Sequence, residues 1–208
     1  MDMKLKKFKN WDSFFKVNLG NRYPDNFIIQ MVLSEFKNLE KKKRKNINIL
    51  DLGFGAGGSN LFFLNKEKFK VFGIEKSKNA YQAIKKKIKK NNFDIEIKNG
   101  SFQSLPFDDN YFDLIIDCRS LQHLKKEFLD QSFSEIHRSL KKNGKLFSIF
   151  MNFEKNKSNF YTNLLSKKSI KKKLKKVFNK KIEIGFLDFS FTSTTSKENS
   201  FWIIKSKK

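Results

Sequence analysis

The sequence of 208 residues is long enough for one domain with a single sizeable core. No apolar run approaches the roughly 20 residues that a membrane-spanning helix needs, and the basic segment 1–10 lacks the apolar stretch of a signal peptide. The single cysteine, Cys118, excludes an intramolecular disulfide and fits a cytoplasmic protein. No group of His and Cys has the spacing of zinc ligands, so no metal is expected.

The formal net charge of +24 is the most unusual property of the composition. A basic chain suggests nucleic-acid binding, but only four of the 45 basic residues are arginines, which readers of nucleic acid favour for their bidentate geometry. Lys, Phe, Ile and Asn are all abundant and share A/T-rich codons, so an A/T-rich genome would give this charge without any role in binding nucleic acid. We favour composition bias. A functional basic surface stays open, with nucleic acid as the less favoured partner.

Apolar periodicity predicts strands that alternate with helices along the chain. A first helix is predicted over 24–39, and a charged connector follows at 41–45. Further helices are predicted over 57–66, 77–90, 125–140 and 158–178. Strands are predicted over 46–52, 69–75, 93–98, 111–118, 145–151, 181–191 and 200–205, the last two as an antiparallel hairpin. This alternation favours an α/β fold with a parallel sheet covered on both faces.

A glycine-rich turn follows the first strand, in the segment 49–58 that reads ILDLGFGAGG. Gly53, Gly55 and Gly57 permit a sharp turn and a close approach of a cofactor to the backbone. The N-terminus of the next helix points free N–H groups at such a ligand. Asp51 precedes the turn, where a carboxylate would repel a pyrophosphate but suits an α-ammonium group. The turn therefore favours S-adenosylmethionine over a dinucleotide.

The second predicted strand ends in a carboxylate, Glu75, which Lys76 follows. A carboxylate at the end of this strand can accept two hydrogen bonds from a ribose diol. Gly73 before it, and its spacing from the glycine turn, fit a ribose-binding role. We predict that Glu75 binds the ribose, and an ordinary surface carboxylate is the alternative.

Several segments together resemble class I S-adenosylmethionine-dependent methyltransferases, and in particular the small-molecule branch that includes ubiquinone- and menaquinone-biosynthesis enzymes. The matching segments are 49–57, 73–77, 99–102, 105–113, 116–124 and 135–146. The likeness covers roughly residues 45–152.

This resemblance implies a three-layer, Rossmann-like α/β sandwich. We predict a seven-stranded, mostly parallel sheet in the order 3-2-1-4-5-7-6, with the last strand antiparallel. The whole chain, 1–208, is expected to form a single domain. It would comprise an N-terminal lid segment over 1–44, a cofactor-binding core over 45–152, and a C-terminal helix with a closing hairpin over 153–208.

The resemblance also implies further cofactor contacts. Ser101 and Phe102 stand where the family brackets the adenine, although the usual acidic residue is absent here. Phe54 lies within the glycine turn. Asp117 and Cys118 end the fourth strand, where the backbone of family members commonly meets the cofactor.

Methyl transfer from a sulfonium is an in-line displacement, which mainly requires a well-placed acceptor and the exclusion of water. His123, just beyond the fourth strand, is the candidate general base or substrate-binding residue. Arg119 is the candidate anchor for an anionic group on a small-molecule acceptor. The structural alternatives are loop packing for His123 and a salt bridge to Asp117 or a helix carboxylate for Arg119.

An aromatic cluster precedes the first predicted helix; it consists of Trp11, Phe14, Phe15 and Tyr23. In the resembling family such segments often fold over the cofactor as a lid. Trp11 and Tyr23 are therefore candidates for lining the acceptor pocket, together with residues 150–161, and ordinary packing is the alternative.

Other classes of protein fit the sequence less well. Tyr81 and Lys85 mimic the catalytic pair of short-chain dehydrogenases, but they follow Glu75 too early in the chain. Enzymes that methylate base amino groups usually carry an Asn/Asp-Pro-Pro-aromatic turn, whereas residues 117–120 read DCRS. An RNA or protein methyltransferase using the lysine-rich surface, above all 167–176, is the alternative function. A non-enzymatic S-adenosylmethionine-binding protein is a third class.

Overall fold

The computed structural model describes residues 8, 10–151, 165–178, 182–189 and 199–208. Three of the predicted segments fall partly on other residues. The first part of the predicted basic helix, at 158–164, most of the expected pocket segment, at 152–161, and both ends of the predicted strand 181–191, at 181 and 190–191, lie outside the described residues.

Within these ranges, helices and strands alternate along the chain. The helices are α1 (Trp11–Val17), α2 (Asn26–Glu35), α3 (Ser59–Lys66), α4 (Lys78–Asn91), α5 (Lys126–Ser139) and α6 (Lys167–Lys175). The strands are β1 (Asn48–Leu52), β2 (Lys70–Glu75), β3 (Ile95–Asn99), β4 (Phe112–Cys118), β5 (Leu140–Met151), β6 (Ile182–Phe189) and β7 (Asn199–Lys207). No helix among the described residues is long and apolar enough to cross a membrane.

The strands form one sheet in the order β3-β2-β1-β4-β5-β7-β6, which confirms the predicted order. Strands β1 to β5 pair in parallel, and β7 pairs antiparallel with both β5 and β6, as predicted for the last strand. Leu52 pairs with both Ile74 and Asp117, so the carboxyl ends of β1, β2 and β4 meet at one edge. We call this the carboxyl edge of the sheet.

Helices cover both faces of the sheet and bury two hydrophobic clusters. On one face, α2, α3 and α4 pack through Ile28, Leu61 and Ile84; on the other, α5 and α6 pack through Phe133 and Leu174. Each of these side chains is almost completely buried, and each burial stabilises the fold by roughly 1.5–3 kcal/mol. The three layers confirm the predicted Rossmann-like sandwich.

The first helix, α1, was not predicted. At seven residues it is too short for a periodic apolar pattern. A capping box fixes its start: the Ser13 N–H donates to Asn10 Oδ1 at 2.8 Å, and the Asn10 N–H donates to Ser13 Oγ at 3.3 Å. The pair Asn-x-x-Ser is the signal that could have revealed this helix.

Two further details of the secondary structure differ from the predictions. Helix α3 begins at Ser59 rather than at Gly57, because Gly58 takes a left-handed φ of 61° that a helix cannot contain. A 3-10 helix, Lys41–Asn46, occupies the predicted charged connector.

Strand β5 begins at Leu140, earlier than the predicted start at 145. Its pairing with β4 shifts register between Phe112 and Leu114, and Asn143 has a φ of 69° in this irregular stretch. The turn signal at 143–144 therefore marks an interruption within the strand. Regular pairing resumes at Lys145, opposite Leu114.

Candidate active site

The glycine turn lies at the carboxyl edge, and neighbouring residues pack closely around it. Gly53 has a φ of 69°, and a Cβ there would overlap the side chain of Ser120. A Cβ on Gly57 would overlap the backbone carbonyl of Asn21. The absence of a side chain at Gly57 therefore lets the N-terminal segment lie against the turn. Sequence reasoning gave this glycine a cofactor role alone.

Asp51, at the end of β1, is buried, and no described residue lies within close hydrogen-bond distance of its carboxylate. Its side chain is 1% exposed, and neither carboxylate oxygen has a partner within the described residues. Burial, reinforced by the negative charges of Asp117 and Glu75, raises the pKa of Asp51 to about 8, and the nearby Asn60 side chain opposes this rise. A cation placed here would supply the missing partner. The α-ammonium group of S-adenosylmethionine fits this requirement.

Glu75, at the end of β2, holds the glycine turn in place. Gly55 N–H donates to its Oε2 at 3.0 Å, and Ser77 N–H donates to its Oε1 at 2.8 Å. Burial raises the pKa of Glu75, and the hydrogen bonds from the backbone partly offset the rise. The side chain of Lys76 is exposed. Each carboxylate oxygen keeps further accepting capacity, so ribose binding by Glu75 stays a prediction.

Asp117, at the end of β4, shapes the turn that follows it. Its carboxylate accepts hydrogen bonds from Ser120 N–H at 2.8 Å, from Leu121 N–H at 3.0 Å and from the Ser148 hydroxyl. Burial raises the pKa of Asp117 to about 6, against the effect of these bonds. Because the side chain is committed to the protein, any contact of Asp117 with a cofactor falls to its backbone.

Cys118 and Arg119 follow Asp117 in the chain. The Cys118 thiol is protonated, and the Arg119 guanidinium is paired with a carboxylate. Burial raises the pKa of the Cys118 thiol to about 12, which removes it as a thiolate nucleophile near neutral pH. Arg119 has a φ of 67° and forms an ion pair with Asp25 at 3.1 Å, while its guanidinium lies over the Phe201 ring. The salt-bridge alternative for Arg119 is thus present, with Asp25 as the carboxylate. Anchoring of an acceptor by Arg119 stays a prediction.

The residues expected around the adenine and within the turn pack mainly against protein. Phe102 is 8% exposed and lies in one of the two hydrophobic clusters, with its ring next to Gly53. Ser101 Oγ accepts a hydrogen bond from Gln103 N–H at 3.4 Å. The Phe54 ring points at Gly73, where a Cβ would come within 2.7 Å of it. Phe54 can therefore offer a cofactor its backbone but not its ring.

Helix α1 covers the glycine turn and brings aromatic rings to the carboxyl edge. The Trp11 ring contacts the His123 ring at a centroid distance of 4.7 Å and stacks on Phe15 at 5.7 Å. The Phe15 ring lies next to Gly55. By contrast, Tyr23 is 73% exposed, and its role in lining an acceptor pocket stays a prediction.

His123 lies in a 3-10 helix just beyond β4. Its Nε2 is 3.3 Å from Nε2 of Gln122, which is itself buried. Trp11 on one side and Gln122 on the other fix the imidazole at the carboxyl edge. This arrangement suits a residue that exchanges a proton with a bound acceptor. Among the described residues, no group of three or more His, Cys, Asp or Glu could hold a metal ion.

Sequence reasoning missed three polar residues that hold the N-terminal segment in place: Asp12, Asp25 and Asn79. Asp12 accepts hydrogen bonds at the N-terminus of α4, from Ser77 and Asn79, and Asp25 pairs with Arg119. Each contact joins residues far apart in the chain, and no local pattern encodes such a pair. The one sequence feature that could have drawn attention to Asp12 is its position among aromatic residues.

Fold and site together define a class. A seven-stranded sheet of this order, a glycine turn after β1 and buried acids at the ends of β1 and β2 are the architecture of class I S-adenosylmethionine-dependent methyltransferases. Residues 49–144 match the family model described as "Methyltransferase domain". The chain is therefore similar to this family over somewhat less than half of its length.

Two curated relatives share part of the sequence. Ribosomal protein L11 methyltransferase of Thermosipho africanus is 29% identical over 108 residues, which is 52% of this chain and 39% of the relative. The 24-methylenesterol C-methyltransferase 2 of Arabidopsis thaliana is 35% identical over 97 residues, 45% of this chain and 26% of the relative. The chain thus spans less than half the length of either. Their names specify a protein and a sterol, so they do not agree on an acceptor.

A solved structure of a SAM-dependent methyltransferase from Methanosarcina mazei shares the fold. It superposes with a TM-score of 0.64 at 18% identity and covers 77% of this chain and 92% of its own. At this level of identity the likeness concerns architecture alone, and the acceptor has to be argued from this chain's own residues.

Proposed function

We propose that this protein transfers a methyl group from S-adenosylmethionine to a small-molecule acceptor by direct displacement. The observation that carries the proposal is the cluster of buried carboxylates at the carboxyl edge, Asp51, Glu75 and Asp117. Burial raises the pKa of all three, so this edge favours a ligand that brings positive charge. S-adenosylmethionine carries an ammonium and a sulfonium, whereas a dinucleotide would bring a pyrophosphate and more negative charge.

The chain has a candidate partner for each part of the cofactor. Asp51 and the glycine turn would bind the methionine end, and Glu75 would bind the ribose. The adenine would lie towards Ser101 and Phe102. When bound, S-adenosylmethionine supplies an electrophilic methyl group. The task of the protein is then to orient the acceptor and to exclude water.

Aromatic residues of α1 would perform much of that task. Trp11 and Phe15 cover the glycine turn and would exclude water from the acceptor side. His123 would accept the proton of an acceptor hydroxyl or amine, with Gln122 and Trp11 holding the ring. An acceptor without such a proton would need only the positioning.

Arg119 would bind an anionic group of the acceptor, such as a carboxylate or phosphate. Its present partner is Asp25, at 3.1 Å, so an anionic acceptor would have to share or displace this carboxylate. Cytoplasmic location is part of the same proposal, because the free thiol of Cys118 suits a reducing compartment.

A methyltransferase acting on protein or RNA is the second candidate. The similarity to a ribosomal protein L11 methyltransferase supports it. The exposed lysines of α6 would suit an acidic macromolecule, but α4 presents an equally lysine-rich face. Because two helices at different places in the fold share this property, the charge does not mark one docking surface.

Titration calorimetry with S-adenosylhomocysteine, and with NADH as the control, tests the central proposal. Micromolar binding of S-adenosylhomocysteine alone is expected. An acceptor screen with labelled S-adenosylmethionine and metabolite extracts, total RNA and cell protein would then separate the two candidates. Binding of NADH alone, or of neither compound, would contradict both. Once an acceptor is known, His123→Ala should reduce turnover without reducing cofactor affinity.

A further inference from the structure

We infer that Asp12 is a positioning residue that holds the N-terminal strap closed over the cofactor site and slows cofactor release. The strap is defined here as residues 10–25. The inference rests on the proposed function, because it concerns the cofactor proposed for the same edge of the sheet.

Asp12 fastens the strap to the N-terminus of α4 through four hydrogen bonds. Its Oδ1 accepts from Ser77 Oγ at 2.8 Å and from Asn79 N–H at 2.9 Å. The Asn79 side-chain amide donates to Asp12 Oδ2 and to the Asp12 backbone carbonyl, each at 3.0 Å. These bonds lower the pKa of Asp12, so the residue is a carboxylate at neutral pH. A carboxylate at a helix N-terminus is also favoured by the helix dipole.

The partners of Asp12 belong to the proposed ribose site. Ser77 is the N-cap of α4, and its backbone N–H donates to Glu75 Oε1 at 2.8 Å. The other oxygen of Glu75 accepts from Gly55 N–H at 3.0 Å. A continuous set of hydrogen bonds thus links Asp12 through Ser77 and Glu75 to the glycine turn. Asp12 is placed to hold the strap and the ribose carboxylate in one arrangement.

The same short helix carries the rings that cover the turn. Trp11 precedes Asp12 and contacts His123, and Phe15 follows one turn later and lies next to Gly55. Because α1 is only seven residues long, fixing Asp12 fixes both rings. Breaking the Asp12 contacts would therefore loosen both rings at once, Phe15 next to Gly55 and Trp11 beside His123.

Backbone contacts place the rest of the strap directly on the turn. A Cβ on Gly20 would overlap the backbone N of Gly57, and a Cβ on Gly57 would overlap the carbonyl of Asn21. A ligand seated on this turn would therefore leave only after the strap lifts. At its far end the strap is held by the ion pair between Asp25 and Arg119, so Asp12 is the fastening at the α1 end.

Stopped-flow measurement of S-adenosylhomocysteine dissociation tests this role. Asp12→Ala should accelerate dissociation about tenfold or more, because the strap then lifts more often. Asp12→Asn keeps one acceptor oxygen for Ser77 and Asn79, so it should restore part of the slow release. Asn79→Ala should accelerate release less. The two effects should fall short of additive in the double variant, since the residues share one contact apart from the bond of the Asn79 amide to the Asp12 backbone carbonyl, which Asp12→Ala retains.

Asp108→Ala is the matched control, because it removes one exposed carboxylate and leaves the strap intact. It should release the ligand at the wild-type rate. Thermal unfolding of each variant separates positioning from a structural role. A lowered melting temperature in Asp12→Ala with an unchanged dissociation rate would overturn the inference, and so would additive effects in the double variant. Failure of the wild-type protein to bind S-adenosylhomocysteine would overturn the proposed function, and the inference with it.

Discussion

Arg119 and Asp25 form an ion pair of 3.1 Å that joins the end of β4 to the start of α2. Asp25 is also the N-cap of α2, since its Oδ1 accepts from Phe27 N–H at 3.0 Å. One carboxylate thus ends the strap, begins a core helix and pairs with Arg119, the candidate anchor of an anionic acceptor. The residue singled out by sequence for binding an anion is therefore already paired with one.

This double role gives a stability prediction for Asp25. Asp25→Ala loses the cap, worth about 1 kcal/mol, and the partly exposed ion pair, worth at most about 1 kcal/mol. We expect a loss of about 1–2 kcal/mol in the free energy of unfolding, measured by urea denaturation. Asp25→Asn retains a capping oxygen and should lose less than Asp25→Ala. Equal losses in the two variants would contradict the role of the cap.

Glu75 gives a direct test of the cofactor site. Its carboxylate holds Gly55 and Ser77, and it is predicted to bind the ribose as well. Glu75→Gln places an amide where two N–H groups now donate, and Glu75→Ala removes every acceptor. Both should weaken S-adenosylhomocysteine binding by about 1–3 kcal/mol in calorimetry, because charge-assisted bonds are lost. The control is Glu96→Gln, an exposed carboxylate on β3, which should bind like the wild type. An unchanged affinity in Glu75→Ala would remove Glu75 from the site.

The sheet order and the buried acids were predictable because their signals are local or shared by the family. The run from Ile49 to Gly58 encodes a buried strand and a turn in adjacent residues, and Glu75 ends the next strand. The strand order followed from a resemblance that covers 45–152. The structure then placed Asp51 and Glu75 at one edge, as expected from parallel strands.

The resemblance led us to expect an N-terminal lid, but the contacts that fasten it could not be predicted, because they join distant residues of unremarkable type. Nothing around Asp12 indicates that its partner is Asn79, and nothing around Gly20 indicates that it packs on Gly57. Phe54 and Phe102 show a related point: their positions match cofactor contacts of the family, which stay predictions, and their rings pack against Gly73 and beside Gly53. A position in a motif indicates where the backbone runs, whereas packing decides where a side chain points.

Gly57 provides a test of the strap that is independent of any ligand. A Cβ would overlap the backbone of Asn21, which cannot move without the strap, so Gly57→Ala should destabilise the protein by about 1–3 kcal/mol. Limited trypsin digestion should also cut faster at Arg22, because the displaced strap becomes accessible. Gly185→Ala is the matched control: its Cβ would lie 4.0 Å from its neighbours, and digestion should match the wild type. Wild-type digestion of Gly57→Ala would show that the strap does not rest on this glycine.

Cys118 gives a simple chemical prediction. Because burial raises the pKa of its thiol to about 12, hardly any thiolate is present near pH 8 in the folded protein. Iodoacetamide should therefore alkylate Cys118 slowly in the native state and rapidly in guanidinium chloride. Mass spectrometry of the intact protein measures both rates. Rapid alkylation of the native protein would contradict the raised pKa of the thiol.

Asp51 gives a prediction about protons. Its pKa of about 8 keeps it largely protonated near pH 7 without ligand, and an ammonium group bound beside it requires the carboxylate. Binding of S-adenosylhomocysteine near pH 7 should therefore release about one proton, and binding near pH 9 should release almost none. Asp117, with a pKa of about 6, is mostly ionised at pH 7 and contributes little. Calorimetry in two buffers of different ionisation enthalpy counts the protons.

Asp51→Asn should abolish this proton release, because an amide does not titrate. The same substitution should change stability in a defined direction. A carboxyl group raised from 3.8 to about 8 contributes its full stability below its unfolded pKa and loses that stability as pH rises through about 8. Relative to Asp51→Asn, the ligand-free wild type should therefore lose stability between about pH 4 and pH 8. Proton release that persists in Asp51→Asn would assign the titrating group to another carboxylate at the edge.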